Sequence, residues 1–135
     1  MRSFHVLAYD DVVAGTTAAY TPPHLDDLLG AVESLSFMVS ASQATGTSPT
    51  LTVQVEQSPD EIRWENRNTT AEINASSLSG TADNIKTAND GDPAGTTRLP
   101  YARLRIQLGG TTPQARVKLW VTGRGELLDI HLPGS

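Results

Sequence analysis

The stretch YARLRIQLGGTTPQARVKLWV, residues 101–121, decides the fold class. Apolar and polar residues alternate on both sides of Gly109-Gly110, and alternation with a period of two is typical of strands that bury one face. The run GGTTP between the two halves is rich in turn-forming residues. The stretch therefore predicts two antiparallel strands, 101–108 and 115–121, joined as a hairpin.

Shorter segments elsewhere in the chain carry the same alternation, and turn-forming residues separate them. They lie at residues 3–9, 31–41, 50–57 and 69–73. About seven to eight short strands with frequent turns predict an all-β, antiparallel β-sandwich or jelly roll with extended termini, and a small barrel is the alternative. We find no internal repeat in the sequence.

The chain length of 135 residues fits one domain. We expect an N-terminal strand and arm over residues 1–30, a sandwich core over 31–125 and a C-terminal tail over 126–135. Residues 24–29 could form one helical turn after Pro22-Pro23, or a short extended arm.

Composition excludes several functional classes. The net charge of −5 lacks the basic footprint of a nucleic-acid-binding protein. No apolar run is long enough for a transmembrane helix, and the N-terminus does not resemble a secretory signal. The chain has no cysteine and only three histidines, so we expect no cofactor and no metal site.

The acidic residues show no known metal-binding or catalytic spacing. Asp83, Asp90 and Asp92 lie in a turn-rich segment and could bind calcium, but the spacing fits no EF-hand. The chain contains no G-x-S-x-G motif, and we expect it not to be an enzyme. The other candidates for acid–base chemistry are Asp10-Asp11, Asp26-Asp27, His5, His24 and His131.

The outward face of the predicted hairpin combines basic and aromatic side chains on an otherwise acidic protein. Three interpretations remain open: a patch for an acidic partner, sugar stacking on Trp120, or charges that only prevent edge aggregation. Trp64, by contrast, is predicted to lie in the core. The residues of this predicted face are Arg103, Arg105, Arg116, Lys118 and Trp120.

Both ends of the chain carry apolar residues that could contact a neighbouring subunit. The tail alternates after Gly125, and we expect it to dock on another protomer or on its own core. The predicted terminal contact residues are Phe4, Val6, Leu127, Leu128, Ile130 and Leu132.

Two segments carry a family resemblance. They are TLTVQVEQSPDEIRWEN, residues 50–66, and LPYARLRIQLGGTTPQARVKLWVTGRGE, residues 99–126. Together they resemble the small β-sandwich head decoration (cement) proteins of tailed bacteriophages. The matching positions are Val53, Val55, Glu56, Ser58, Asp60, Trp64, 102–106, Gly109-Gly110 and 117–125.

The resemblance implies a non-enzymatic structural protein of the virion. Such a protein is made in the host cytoplasm, binds the major capsid protein on the outer capsid surface and often forms a homotrimer. The alternative is a carbohydrate-binding or host-adsorption module, whose site would comprise Trp120, Tyr101 and residues 83–92.

Overall fold

The computed structural model describes residues 2–32, 34–73, 84–90 and 99–125. A 3-10 turn, Pro23–Leu25, leads into one short helix, α1, at Asp26–Ala31. The strands are β1 (Arg2–Ala14), β2 (Ala19–Tyr20), β3 (Ser34–Ser58), β4 (Glu65–Ile73), β5 (Asn84–Asp90) and β6 (Tyr101–Gly125). The tail 126–135 lies outside the described residues.

Two long strands, β3 and β6, form the centre of the fold. They pair antiparallel over nearly their whole length, from Ser34 opposite Arg124 to Ser58 opposite Tyr101. The predicted hairpin of 101–108 with 115–121 is therefore wrong, because both segments belong to β6 and pair with β3. Alternation identifies a strand but does not select its partner, and GGTTP forms a bend within one strand.

The ribbon of β3 and β6 bends where its register shifts, between Ser42 and Thr50. Irregular pairing of this kind bends a strand and increases its twist. Both strands carry a Gly-Thr-(Ser/Thr)-Pro segment at the bend, 46–49 in β3 and 110–113 in β6, and Thr47 lies opposite Thr111.

The bend divides the sheet into two layers. The first layer contains β1, residues 114–125 of β6, residues 34–42 of β3, and β5. The second layer contains β2, residues 101–109 of β6, residues 50–58 of β3, and β4.

Alternate residues of the two layers share one core, so the layers pack face to face as a β-sandwich. This arrangement confirms the predicted fold class. The outer faces of the two layers point in opposite directions. Fully buried core residues include Leu35, Val39, Leu51, Val53, Val55, Leu104, Ile106, Val117, Leu119 and Val121.

The segment before β3 closes one side of the sandwich. Leu28 and Leu29 of α1 are buried in the core, which confirms the helical alternative for this region. Thr21 attaches the segment to β6, because its N–H donates to Leu104 O and its Oγ1 accepts from Leu104 N–H.

Candidate functional site

A buried carboxylate organises the outer face of the second layer. Glu56 is only 5% exposed, although it projects from the outer side of β3. Nε of Arg103 donates to its Oε1 and Nη1 of Arg105 donates to its Oε2, both at 2.8 Å. Hydrogen bonds between charged groups are stronger than neutral ones, so the two arginines are held in fixed positions.

Arg103 is also enclosed by two aromatic rings. Its guanidinium carbon lies 3.9 Å from the centroid of the Tyr20 ring and 4.0 Å from that of the Trp64 ring. Both distances are within the range of cation–π attraction. We call Tyr20, Glu56, Trp64, Arg103 and Arg105 the Arg103 cluster.

The prediction that Trp64 lies in the core is wrong. Trp64 is half-buried on the outer side of the second layer, since Arg103 supplies a partner for its ring there. A cavity of about 340 Å³ lies beside it, lined by Pro59, Arg63, Trp64, Glu65 and Leu99.

The turn before Trp64 is held by side-chain caps. Ser58 Oγ accepts the backbone N–H groups of Asp60 and Glu61, and Asp60 Oδ1 accepts those of Ile62 and Arg63. The two bonds from backbone N–H groups lower the pKa of Asp60, because they favour its ionised form. These contacts fix the path of the chain into the Arg103 cluster.

Asp26 of α1 is a buried acid close to this cluster. It is 4% exposed, and its Oδ1 has no hydrogen-bond partner. The pKa of Asp26 is raised to about 7, mainly because the carboxyl group is buried. A hydrogen bond to Glu61 and the charge of Glu61 add to the rise, whereas the charge of Arg103 opposes it. Asp26 therefore holds a proton that an exposed aspartate would have lost.

The outer face of the first layer is organised in rows across the strands. One row runs Leu7, Trp120, Met38, Thr87, and the next runs His5, Thr122, Ser36, Asn89. A groove of about 280 Å³ crosses both rows. We call it the Trp120 groove; its lining residues are Ser36, Phe37, Met38, Thr87, Ala88, Asn89, Trp120 and Thr122.

The predicted basic face does not exist as one surface. Arg103 and Arg105 lie on the second layer, whereas Arg116, Lys118 and Trp120 lie on the first. The bend in β6 separates the two groups onto opposite outer faces. Arg116 pairs with Asp10 at 2.7 Å, so its charge is also partly compensated.

The N-terminal contact residues predicted from sequence point toward the core. Phe4 and Val6 are half-buried and pack against it. Phe4 lies opposite Gly123, where a side chain would overlap its ring. The other predicted contact residues, Leu127, Leu128, Ile130 and Leu132, lie outside the described residues.

The sugar-site residues predicted as an alternative are only partly brought together. Trp120 lies near β5, which contains residues 84–90 of the predicted segment. Tyr101 begins β6 in the other layer. Asp83 and Asp92 lie outside the described residues.

Three members of the Arg103 cluster, Tyr20, Glu56 and Trp64, were missed as functional candidates by sequence reasoning, and Trp64 was assigned to the core. Glu56 occupies an ordinary outward position in an alternating strand, and Tyr20 lies in an irregular segment. The one feature that would have identified Glu56 is the antiparallel pairing of β3 with β6, because it places Glu56 opposite Arg103.

The described part of the chain shows neither a metal-binding group nor a membrane-spanning helix. Among the described side chains, no three His, Asp or Glu residues converge as metal ligands would. Within the same ranges, no helix is long and apolar enough to cross a membrane.

Comparison with known proteins identifies the fold alone. No family model matches the chain, and no curated protein matches it. A chain of infectious bursal disease virus, Gx strain, superimposes with a TM-score of 0.56 at 15% identity, covering 95% of this chain and 33% of that one. The Gt strain gives 0.51 at 16% identity, covering 91% and 33%.

A third similar structure belongs to an enzyme. It comprises the CBM22-1 and GH10 modules of the Clostridium thermocellum endo-1,4-beta-D-xylanase 10B complexed with xylohexaose. The TM-score is 0.53 at 12% identity, covering 98% of this chain and 26% of that one. The chain thus spans between a quarter and a third of the length of these proteins, and the β-sandwich fold is what they share.

Proposed function

We propose that this chain is a structural virion protein that decorates and stabilises the head of a tailed bacteriophage. Its partner is the major capsid protein, which it binds on the outer capsid surface as a homotrimer. The observation that carries the proposal is the Arg103 cluster, an ordered aromatic–arginine surface on the outer face of the second layer.

The composition of the cluster suits a protein–protein contact. Tryptophan, tyrosine and arginine are the residues most enriched among those that dominate binding energy at interfaces. Tyr20 is 41% exposed, so its ring presents apolar surface to a partner. Glu56 and the two aromatic rings already hold Arg103, so little side-chain entropy remains to be lost on docking.

The charge of the cluster favours an acidic partner surface. Glu56 carries one negative charge against the two positive charges of Arg103 and Arg105. The cluster is therefore locally cationic on a protein of net charge −5. On a symmetric shell, several such contacts in one trimer would add through effective concentration.

Co-sedimentation with assembled shells tests the proposal. The shells are those of the major capsid protein from the genome that encodes this chain. We expect wild type to pellet with the shells, and Tyr20→Ala to weaken binding roughly tenfold or more, as truncation of a central interface residue does. Trp120→Ala, on the opposite outer face, is the matched control and should bind like wild type. Wild-type protein that stays in the supernatant at micromolar concentration would overturn the proposal.

The solution mass tests the proposed trimer. Light scattering on a sizing column should give about three times the monomer mass of 14.4 kDa, as a closed symmetric oligomer would. If wild type is a monomer both free and when released from shells by mild dissociation, the trimer is wrong while the capsid contact can still stand.

A further inference from the structure

The Trp120 groove lies on the outer face that the proposed capsid contact leaves free. The layers pack face to face, so a molecule docked through the Arg103 cluster presents the first layer away from the shell. Leu7 in the Trp120 row is 49% exposed. Trp120 and Met38, next to it in the row, are half-buried, so the three side chains form a continuous apolar strip that is partly open to a ligand.

The row next to Trp120 is polar and already hydrogen-bonded across strands. Ser36 donates to Asn89 Oδ1 at 2.5 Å, and Nδ1 of His5 and Oγ1 of Thr122 share a hydrogen bond of 3.0 Å. Residues two apart on a strand lie about 7 Å from each other. A ligand about one sugar ring wide can therefore contact Trp120 and this polar row at once.

The groove is also uncharged. None of its eight described lining residues is Asp, Glu, Lys or Arg. A volume of about 280 Å³ is close to the lower end of ligand pockets, and the site is open, so it suits one or two units of a longer chain. Neutrality argues against a nucleotide or a strongly acidic polymer as the ligand.

We infer that the Trp120 groove binds a neutral sugar unit of a glycan chain. One apolar face of the pyranose packs on the indole of Trp120 beside Met38. The hydroxyl groups at the ring edge lie over Ser36, Asn89 and Thr122, whose positions their cross-strand pairing fixes. This site is independent of the Arg103 cluster and of the proposed capsid contact.

Binding of the full chain to immobilised glycans tests the inference. The probe is an array of neutral and acidic bacterial surface glycans and plant glycans, followed by isothermal titration with the strongest neutral binder. We expect binding to neutral glycans in the micromolar to millimolar range. Trp120→Ala should weaken that binding roughly tenfold or more, whereas Trp120→Phe, which keeps an aromatic face, should lose less.

Two further variants separate the groove from general effects on the fold. Thr122→Val keeps the shape of the polar row and removes one hydroxyl, and should weaken binding several-fold. Tyr20→Ala, on the opposite outer face, should bind glycan like wild type. The unfolding midpoint of each variant must match that of wild type, so that lost binding is not lost structure.

The outcomes decide the inference separately from the proposed function. Absence of binding to any neutral glycan, or equal binding by wild type and Trp120→Ala, overturns the glycan site and leaves the shell assay unaffected. Preference for acidic glycans also overturns it, because the lining offers no charge to pair with them. If shell binding fails while Trp120-dependent glycan binding holds, the groove stands and the capsid contact does not.

Discussion

Gly46 and Gly110 adopt the same backbone φ of 106° on opposite strands, and each packs against the segment that contains the other. A Cβ on Gly46 would lie 2.7 Å from Thr112 O, and one on Gly110 would lie 2.7 Å from Ser48 O. Ser48 and Thr112 also share a φ of 51°. The bend is thus built from two equivalent halves, and each half requires a glycine.

Replacement of either glycine by alanine should strongly destabilise the fold. A side chain at this φ costs about 1–3 kcal/mol in backbone strain alone, and the overlap with a carbonyl oxygen adds to that cost. We expect Gly46→Ala and Gly110→Ala each to lower the free energy of unfolding by about 3 kcal/mol or more. Urea denaturation followed by circular dichroism measures this.

Gly15→Ala is the matched control for the bend. Gly15 also has a positive φ, 77°, but a Cβ there would meet nothing within 4 Å. We expect it to cost only about 1–2 kcal/mol. Equal losses in all three variants would mean that backbone strain, and not the close packing of the two bend segments, is what the glycines relieve.

Removal of the charge on Glu56 should cost far more than removal of an exposed carboxylate. Glu56→Gln removes the shared negative charge and turns an amide NH2 donor toward one of the two arginines, and breaking a buried ion pair costs about 3–5 kcal/mol. Asp10→Asn, which breaks the more exposed pair with Arg116, should cost less than about 1 kcal/mol. Thermal unfolding compares the two, and similar losses would contradict the organising role of Glu56.

Stability should depend on pH through Asp26. The pKa of Asp26 is about 7 in the folded protein and 3.8 in an unperturbed aspartate, which represents the unfolded chain. Between these pH values the folded state therefore retains a proton that the unfolded state loses. Its stabilising contribution is complete below about pH 4, declines as pH rises and is gone above about pH 7. We therefore expect Asp26→Asn to gain stability relative to wild type across this range.

Urea unfolding at several pH values measures that difference between wild type and Asp26→Asn. Glu61→Gln removes a charge that helps to raise the pKa of Asp26, so the stability of this variant should fall less steeply with pH than that of wild type. Parallel stability curves for wild type and Asp26→Asn would contradict the prediction.

The turn at Ser58 should be sensitive to loss of a single hydroxyl group. Ser58 is fully buried, and its Oγ accepts the N–H groups of Asp60 and Glu61. Ser58→Ala removes the acceptor of both N–H groups, so we expect a loss of about 1–2 kcal/mol. Ser36→Ala, at a half-buried position on the other outer face, should cost less; a reversed order in urea denaturation would argue against this capping role.

Much of the core followed from sequence, since burial and alternation coincide along both long strands. Leu51, Val53 and Val55 are buried as the pattern predicts, and so are Leu104 and Ile106. The pairing of the strands did not follow from it. A hairpin within 101–121 and a bend within one strand require the same alternation and the same glycines, and local sequence does not distinguish them.

The candidate sites show the same division. Trp120 was recognised as an outward aromatic residue, because its neighbours in the strand alternate. Its assignment to one surface with Arg103 was wrong, since that depended on both halves of β6 lying in one layer. Tyr20 contacts Arg103 from 83 positions away in the chain, and no pattern in the sequence relates the two residues.

The sequence by itself determined the all-β class and the buried positions, because side chains alternate between the two sides of a strand and only apolar ones can be buried without cost. The tertiary structure alone decided how the strands pair, where the long ribbon bends and which outward residues share a surface. Those features depend on contacts between distant segments, such as Glu56 with Arg103 and Gly46 with the 111–113 backbone. These contacts form only when the chain has folded, so local sequence patterns do not predict them.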